Sequence, residues 1–356
     1  MTFKEGFQQK NQGEIWHTYR MKRALITGVT GQDGSYLSEW LLNLGYEVHG
    51  LIRRTSSLDR WLIDHISNKY PNNFVLHYGD LHDDSSLTSV LKSTKPDEIY
   101  NLAAQSHVRI SFDTPLGTSE TVALGTLKLL ENIRIFCPES KFYQASSSEM
   151  FGSSVPPQNE ETRFEPRSPY AVSKVFSHMT TKNYRDGFNI YAVNGILFNH
   201  ESSRRGENFV TRKIAKAAAE IKNSKRGILK LGNINSVRDW GFAPEYVIAM
   251  HKMLQMDSPS DYVIGTGSGI SVEQFLTGAF EYLNLNWRDH VEIDESLFRP
   301  TEVDSLVANP KKASKELEWG ANIKGEKLIE LMVEAEMSRI RNKSIMVDAW
   351  KYVDIG

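Results

Sequence analysis

Hydrophobic and polar positions change period along this chain. Between Arg23 and about Phe198, short apolar runs alternate with longer stretches in which apolar residues recur every three or four positions. The order is RALIT, SYLSEWLLNL, EVHGLI, FVLHYG, EIYNLA, the helix-like TSETVALGTLKLLENI, and KFYQAS. Strand-length runs separated by amphipathic stretches predict βαβ units, and hence a doubly wound parallel sheet over 21–198. After Asn199 the rhythm breaks. Helices are predicted near Asn208 to Ile221, Pro244 to Leu254, Val272 to Leu283 and Ile323 to Arg341. Ser271 with Gln274 makes a capping-box pattern, and Pro244 suits the first turn of the helix it opens. A smaller mixed α/β lobe is therefore expected over 199–341, with the return of some strands to the main sheet left open. Residues 1–20 carry neither period and read as an N-terminal extension; 342–356 read as a C-terminal tail.

Composition narrows the class of function. The chain has 356 residues, 40% of them hydrophobic and 24% charged, with a formal net charge of −2, which argues against disorder, a nucleic-acid partner or a membrane surface. A single cysteine, Cys137, excludes an intrachain disulfide and fits a reducing compartment. No apolar run reaches the roughly 18 residues of a spanning helix, so a cytoplasmic protein is expected.

Chemistry enters at Thr27-Gly28-Val29-Thr30-Gly31-Gln32-Asp33-Gly34, between a predicted strand and a predicted helix. Glycines let a backbone turn tightly beside a pyrophosphate while the following helix offers free N–H groups, which makes this a dinucleotide loop and the fold of Rossmann type. Where an NAD site usually places an acid on the ribose, at the end of the second strand, stand Arg53 and Arg54. Two guanidinium groups suit a 2′-phosphate, so NADP is the expected cofactor. Asp80-Leu81 and Leu102-Ala103-Ala104-Gln105-Ser106 follow the third and fourth strands, at the sheet edge that meets such a cofactor.

Ser168-Pro169 reads as a cap with proline at the first helical position, and Tyr170 and Lys174 four residues apart share one face of that helix. A tyrosine base must fall from a pKa near 10 by about three units, roughly 4 kcal/mol, and a neighbouring ammonium helps to supply this. Gln144 to Gly152 follow the fifth strand, so Ser147 and Glu149 enter the same edge. Oxidising a sugar alcohol needs only tyrosine and the dinucleotide; eliminating water also needs a base for the carbon beside the new ketone, which Glu149 can provide.

The 3+3 glycine spacing resembles the extended short-chain dehydrogenase/reductase family, and from about Lys22 to Trp319 the chain resembles the GDP-mannose 4,6-dehydratases. The resemblance rests on GVTGQDGSYL, IYNLAAQSHV, FYQASSSE, PRSPYAVSK, NGILFNHESSRRGENFVTRKI, VRDWGFAPEYV and RPTEVDSLVANPKKA. It implies conversion of GDP-mannose to its 4-keto-6-deoxy derivative plus water, on the way to GDP-fucose or GDP-rhamnose, through a transient hydride transfer to NADP. By the same resemblance, Ser147 replaces a more usual threonine, Glu149 is the acid/base, Tyr170 the oxidation base and Lys174 its support. His200 and Arg205 contact NADP. The 199–341 region becomes a substrate-binding lobe, and Ser106, Glu149, Asn194, Asn199, Lys213, Arg238, Arg299 and Glu302 hold substrate. A homodimer or homotetramer is implied and no metal is invoked. Leu116-Gly117 stands where the family usually has a tyrosine that contacts cofactor. The other readings are another nucleotide-sugar 4,6-dehydratase or a 4-epimerase, the latter needing Tyr170 and Lys174 without an acid at 149, and a non-catalytic NADP-sensing binding protein, for which the Tyr170 and Lys174 pair would have no purpose.

Overall fold

Each predicted strand forms in the computed structural model, which describes residues 20–54, 60–224, 226–342 and 348–354. The expected N-terminal extension lies outside the described residues except for Arg20, which pairs with Asp97. The first six strands are β1 (Arg23–Thr27), β2 (Glu47–Ile52), β3 (Phe74–Tyr78), β4 (Glu98–Asn101), β5 (Lys141–Ser147) and β6 (Ala192–Leu197). They are followed by β7 (Asn199–Glu201), β8 (Leu229–Leu231), β9 (Val237–Phe242), β10 (Tyr262–Ile264), β11 (Gly269–Ser271), β12 (Val291–Ile293) and β13 (Ser305–Leu306). The main sheet runs β3-β2-β1-β4-β5-β6-β10, parallel throughout. Strand order reverses between β1 and β4, so the crevice that a doubly wound sheet offers a ligand opens there.

The helices between strands are α1 (Gln32–Asn43), α2 (Asp64–Lys69), α3 (Asp84–Thr94), α4 (Val108–Asp113), α5 (Pro115–Ser119), α6 (Gly125–Phe136) and α7 (Pro169–Phe188). Beyond them come α8 (Val210–Ser224), α9 (Ala243–Gln255), α10 (Val272–Tyr282), α11 (Lys311–Glu316) and α12 (Gly325–Asn342). Successive residues of a strand face opposite ways, and both faces here are covered. Ala24 and Ile26 of β1 join the core with Leu37 and Leu41 of α1 and Val247 and Met250 of α9. Leu25 instead joins Leu87 and Leu91 of α3 and Leu129 and Ile133 of α6.

The division at 198/199 is interleaved in space. Although α9 and β10 follow Asn199, they complete one helical layer and the seventh strand of the main sheet. What remains is a four-stranded sheet, β11-β9-β13 with β7 also on β9, and a two-stranded β12-β8 pair. The expected helix over TSETVALGTLKLLENI is a longer helical run that passes from α5 through one π-helical turn (Glu120–Leu124) into α6. A Cβ on Gly125 would stand 2.9 Å from Leu81 Cβ, so glycine lets this run approach the loop after β3. The tail is in part a packed element: Trp350 stacks on Trp40 at 5.8 Å and donates its indole N–H to Glu39 of α1 at 2.6 Å.

Candidate active site

A cleft of about 720 Å³ opens at the carboxyl ends of the main strands. Its floor is the glycine loop. Gly28 has φ +70°, and a Cβ there would lie 2.8 Å from the Ala103 nitrogen; a Cβ on Gly34 would lie 2.4 Å from the Gly28 carbonyl oxygen. Only glycine allows this approach of loop, helix and neighbouring strand. The Thr27 hydroxyl fixes it further, accepting from the Leu102 and Ala103 N–H groups at 3.1 Å and donating to Asn101 Oδ1 at 2.7 Å. Gly31 caps α1 without a side-chain hydrogen bond, leaving the first turn's amides and the helix dipole available to an anion.

Thr30, Gly31, Gln32, Asp33, Arg53, Asp80, Leu81 and the segment Leu102 to Ser106 all line this cleft. Asp80 is held below the usual carboxylate range: burial opposes this, but the backbone N–H and ring of His82 at 2.9 and 2.7 Å outweigh it. Arg54, expected beside Arg53, is outside the cleft and lies over the Tyr78 ring at 4.7 Å. Residues 55–59, which follow this arginine pair, lie outside the described residues.

Asp33 and His200 meet across the cleft floor at 2.8 Å, while the other imidazole nitrogen bonds the Phe198 carbonyl at 2.7 Å. Burial alone would raise Asp33 and lower His200, but each charge favours the other, leaving Asp33 below and His200 above its ordinary value. Gln32 adds a bond to the His200 carbonyl and accepts from Ser202. The glycine loop is thereby tied to β7.

Ser147, Glu149, Tyr170 and Lys174 converge on one wall. Ser168 caps α7 by accepting from the Ala171 N–H at 3.1 Å, which sets the rotation that turns Tyr170 and Lys174 inward. Lys174 Nζ donates to the Ala145 carbonyl at 2.6 Å and sits 5.8 Å from the Tyr170 ring centroid. Burial lowers the ammonium to about 8 and pushes Tyr170 up to about 12, against a hydrogen bond from Ser147. Glu149 is buried, with Arg238 Nε at 3.9 Å and Arg299 Nη1 at 4.0 Å. These are attractive distances without a direct hydrogen bond.

Pleating explains the Arg238-Asp239-Trp240 run. Arg238 and Trp240 line the cleft, whereas Asp239 points away and accepts from the Thr266 N–H and hydroxyl and from the Gly267 and Ala308 N–H groups. Among the described residues Arg238 and Asp239 form no ion pair with each other; the carboxylate beside Arg238 is Glu149. Asn199, His200, Arg205, Lys213, Arg299 and Glu302 line the same cleft. Asn199 Oδ1 is buried with no hydrogen-bond partner, and Lys213 Nζ reaches the Lys230 carbonyl at 2.7 Å.

Asn194, expected to touch substrate, does not reach the cleft. It is fully buried in β6, bonded to Ser146, the His178 carbonyl and Asp261, so it serves strand packing. Gly117 also stands apart: a Cβ there would meet nothing within 4 Å, and neighbouring Leu116 is 79% exposed. Several lining residues escaped the sequence reading, among them His107, Arg109, Glu201, Asn208 and Trp240. His107 stood inside the quoted run IYNLAAQSHV, but nothing in its type marked it as facing inward. Among the described residues no group of three or more His, Cys, Asp or Glu could hold a metal ion, and no helix is long and apolar enough to cross a membrane.

A glycine cradle at the switch point of a seven-stranded parallel sheet, with a tyrosine and a lysine one helical turn apart beside it, is the plan of the short-chain dehydrogenase/reductase enzymes. The fold is shared with Thermus thermophilus UDP-glucose 4-epimerase in complex with NAD, at a TM-score of 0.76 and 23% identity over 88% of this chain and 98% of that one. It is shared equally with Bacillus anthracis dTDP-glucose 4,6-dehydratase in complex with NAD, at 0.78 and 22% over 91% and 100%. Sequence narrows the class: the chain belongs to the GDP-mannose 4,6-dehydratase family, whose model matches residues 25–332. GDP-mannose 4,6 dehydratase 1 of Arabidopsis thaliana is 53% identical over 337 residues, 92% of this chain and 93% of that one. GDP-mannose 4,6-dehydratase of Vibrio cholerae is 45% identical over 358 residues, covering 91% and 96%.

Proposed function

We propose that this protein converts GDP-mannose to GDP-4-dehydro-6-deoxy-mannose and water, using NADP. The observation that carries this reading is the convergence of Tyr170, Lys174, Ser147 and Glu149 on one wall, with Glu149 between Arg238 and Arg299. The glycine cradle, the uncapped start of α1 and the buried, unpartnered Asn199 Oδ1 fit a nicotinamide dinucleotide and a polar ligand beside it. Gly28 to Gly34 would hold the pyrophosphate, with Asp80 and Leu81 toward the adenosine. Arg53 in the cleft, where an acid would serve NAD, supports NADP.

When bound, the nicotinamide supplies a hydride acceptor that later returns the hydride to the sugar. The chain's own work is proton movement and positioning. Tyr170 takes the proton from the 4-hydroxyl, Ser147 holds the same oxygen, and Lys174 supplies positive charge beside the phenol. Each unit by which Tyr170 must fall from about 12 costs about 1.4 kcal/mol. The hydrogen bond from Ser147 and the charge of Arg205 already act in that direction.

The 4-ketone acidifies carbon 5. Glu149 removes that proton and passes it to the departing 6-hydroxyl, which leaves as water. Once the carbon 5–carbon 6 double bond has taken hydride at carbon 6, Glu149, reprotonated from solvent, would return a proton to carbon 5 while Tyr170 gives up the proton it took. Lys213, Arg238 and Arg299 offer cations to the diphosphate, while Asn199 and Glu302 offer polar atoms to guanosine or mannose. The buried carboxylate at 149 favours dehydration over 4-epimerisation, which needs no such base. Incubating the protein with GDP-mannose and catalytic NADP⁺ tests the reading: loss of one water, seen by mass spectrometry, supports it, and an unchanged mass with a new epimer defeats it.

An apolar stripe bears on assembly. Val172, Phe176 and Met179 lie at i, i+4 and i+7 on α7, 55%, 41% and 51% exposed, with Leu116 and Leu124 also exposed on the neighbouring helical run. Such a patch supports a homo-oligomer in which a second copy covers α7.

A further inference from the structure

We infer that Glu201 is a positioning residue that holds the Arg205 guanidinium toward the dinucleotide side of the cleft, and that the affinity of this site for cofactor depends on the Glu201 carboxylate. The inference rests on the reading of the cleft as a dinucleotide site.

Glu201 ends β7 and is 1% exposed, yet it lies in the cleft wall. One carboxylate oxygen, Oε2, accepts from the Thr211 hydroxyl at 2.7 Å and forms an ion pair with Arg205 Nε at 3.1 Å, a contact without the alignment of a hydrogen bond. The guanidinium carbon of Arg205 lies 3.5 Å from the Phe209 ring centroid, so the group is held between a carboxylate and an aromatic face. Its backbone is fixed as well: the Arg205 N–H bonds the Ser202 carbonyl at 3.1 Å, and Arg212 donates to the Arg205 carbonyl. With Nε buried beside Glu201, a ligand in the cleft would meet the Nη end of the fork. A carboxylate is costly to bury unless it is paired, so an acid at this depth has a partner to hold.

Glu201 is also placed to make the clamp sensitive to pH. Burial raises its carboxyl above the ordinary range, against the pull of Arg205 and Thr211. The other charged groups facing it are His200 beside it on β7 and Asp33 of the glycine loop, and the Tyr246 phenol of α9 lies within its field. As pH falls through the raised value, the carboxylate takes a proton and the ion pair with Arg205 is lost.

The test is titration of the full-length protein with NADP⁺, followed by calorimetry across a range of pH, for the wild type, Glu201→Gln and Thr211→Val. Wild-type affinity should fall as the solution is acidified. Glu201→Gln should bind about tenfold more weakly at neutral pH, because the ion pair that holds Arg205 is gone, with a flatter pH dependence. Thr211→Val keeps both the acid and the arginine, so it should show a smaller loss and retain the wild-type slope. This variant keeps the test open if Glu201→Gln does not fold. Wild-type affinity and slope in a folded Glu201→Gln protein overturn the clamp alone. A wild type that binds neither NADP⁺ nor NAD⁺ overturns the dinucleotide reading, and the clamp with it.

Discussion

On the proposed reading, Glu149 is the residue that separates dehydration from the simpler redox chemistry open to Tyr170 and Lys174 by themselves. Replacing it with glutamine keeps the shape and removes the base. Dehydration should fall by about 10²–10⁴, the usual worth of general acid–base help, while slow cofactor reduction on adding GDP-mannose persists in the absorbance of the reduced nicotinamide. Tyr170→Phe should stop both. Arg53→Ala should weaken NADP⁺ by about tenfold and leave NAD⁺ nearly unaffected in paired titrations, because only the former carries the 2′-phosphate. These residues were legible in the sequence because their types are chemically marked and their spacing survives folding: a Tyr and a Lys four apart on a capped helix can only share a face. Asn194 misled for the complementary reason. A polar side chain in a strand gives no sign of whether it faces a cleft or a buried partner, and here its partners are Ser146, the His178 carbonyl and Asp261. Glu201 was missed because a carboxylate reads as a surface residue until its depth is known.

At the scale of elements, the join between the glycine loop and β7 is an ion pair with a calculable sign. Asp33 lies below its ordinary value, so its contribution to stability is present above that value and is lost as pH falls through the lowered one. His200 lies above the ordinary 6.5, so its contribution is complete below that value and is lost as pH rises through the raised one. The melting temperature should therefore decline on the alkaline side of 6.5 in the wild type, and His200→Gln should remove that component of the slope. The segment Asp348–Asp354 is a second join, through Trp350 to Trp40, Tyr36 and Glu39 of α1. Losing that half-buried indole in Trp350→Ala should cost roughly 2 kcal/mol, seen as an earlier denaturant midpoint. No period in the sequence announced this contact, because a short segment that packs through one aromatic residue has none to show. Strand β10 was equally silent: three residues, Tyr262–Ile264, are too few to display alternation, and their place on the main sheet follows from the crossover through α9.

For the molecule as a whole, the parallel sheet was readable because its strands are covered on both faces and separated by helices of regular period. The interleaving of the two halves was not, since it depends on contacts between segments far apart in the chain. The exposed stripe on α7 belongs to this scale too. A Phe176→Glu change should leave the fold intact and shift the sedimentation coefficient toward a monomer, since an acid cannot be buried cheaply in an apolar contact.

The most direct measurement follows one hydrogen through the whole reaction: GDP-mannose carrying deuterium at carbon 4 is given to the wild-type protein with catalytic NADP⁺, and the product is read by mass spectrometry and NMR. The product should be lighter by one water, with the deuterium carried to carbon 6 and no net reduction of cofactor. A product of unchanged mass that keeps its deuterium at carbon 4 would contradict dehydration and leave a 4-epimerase in its place.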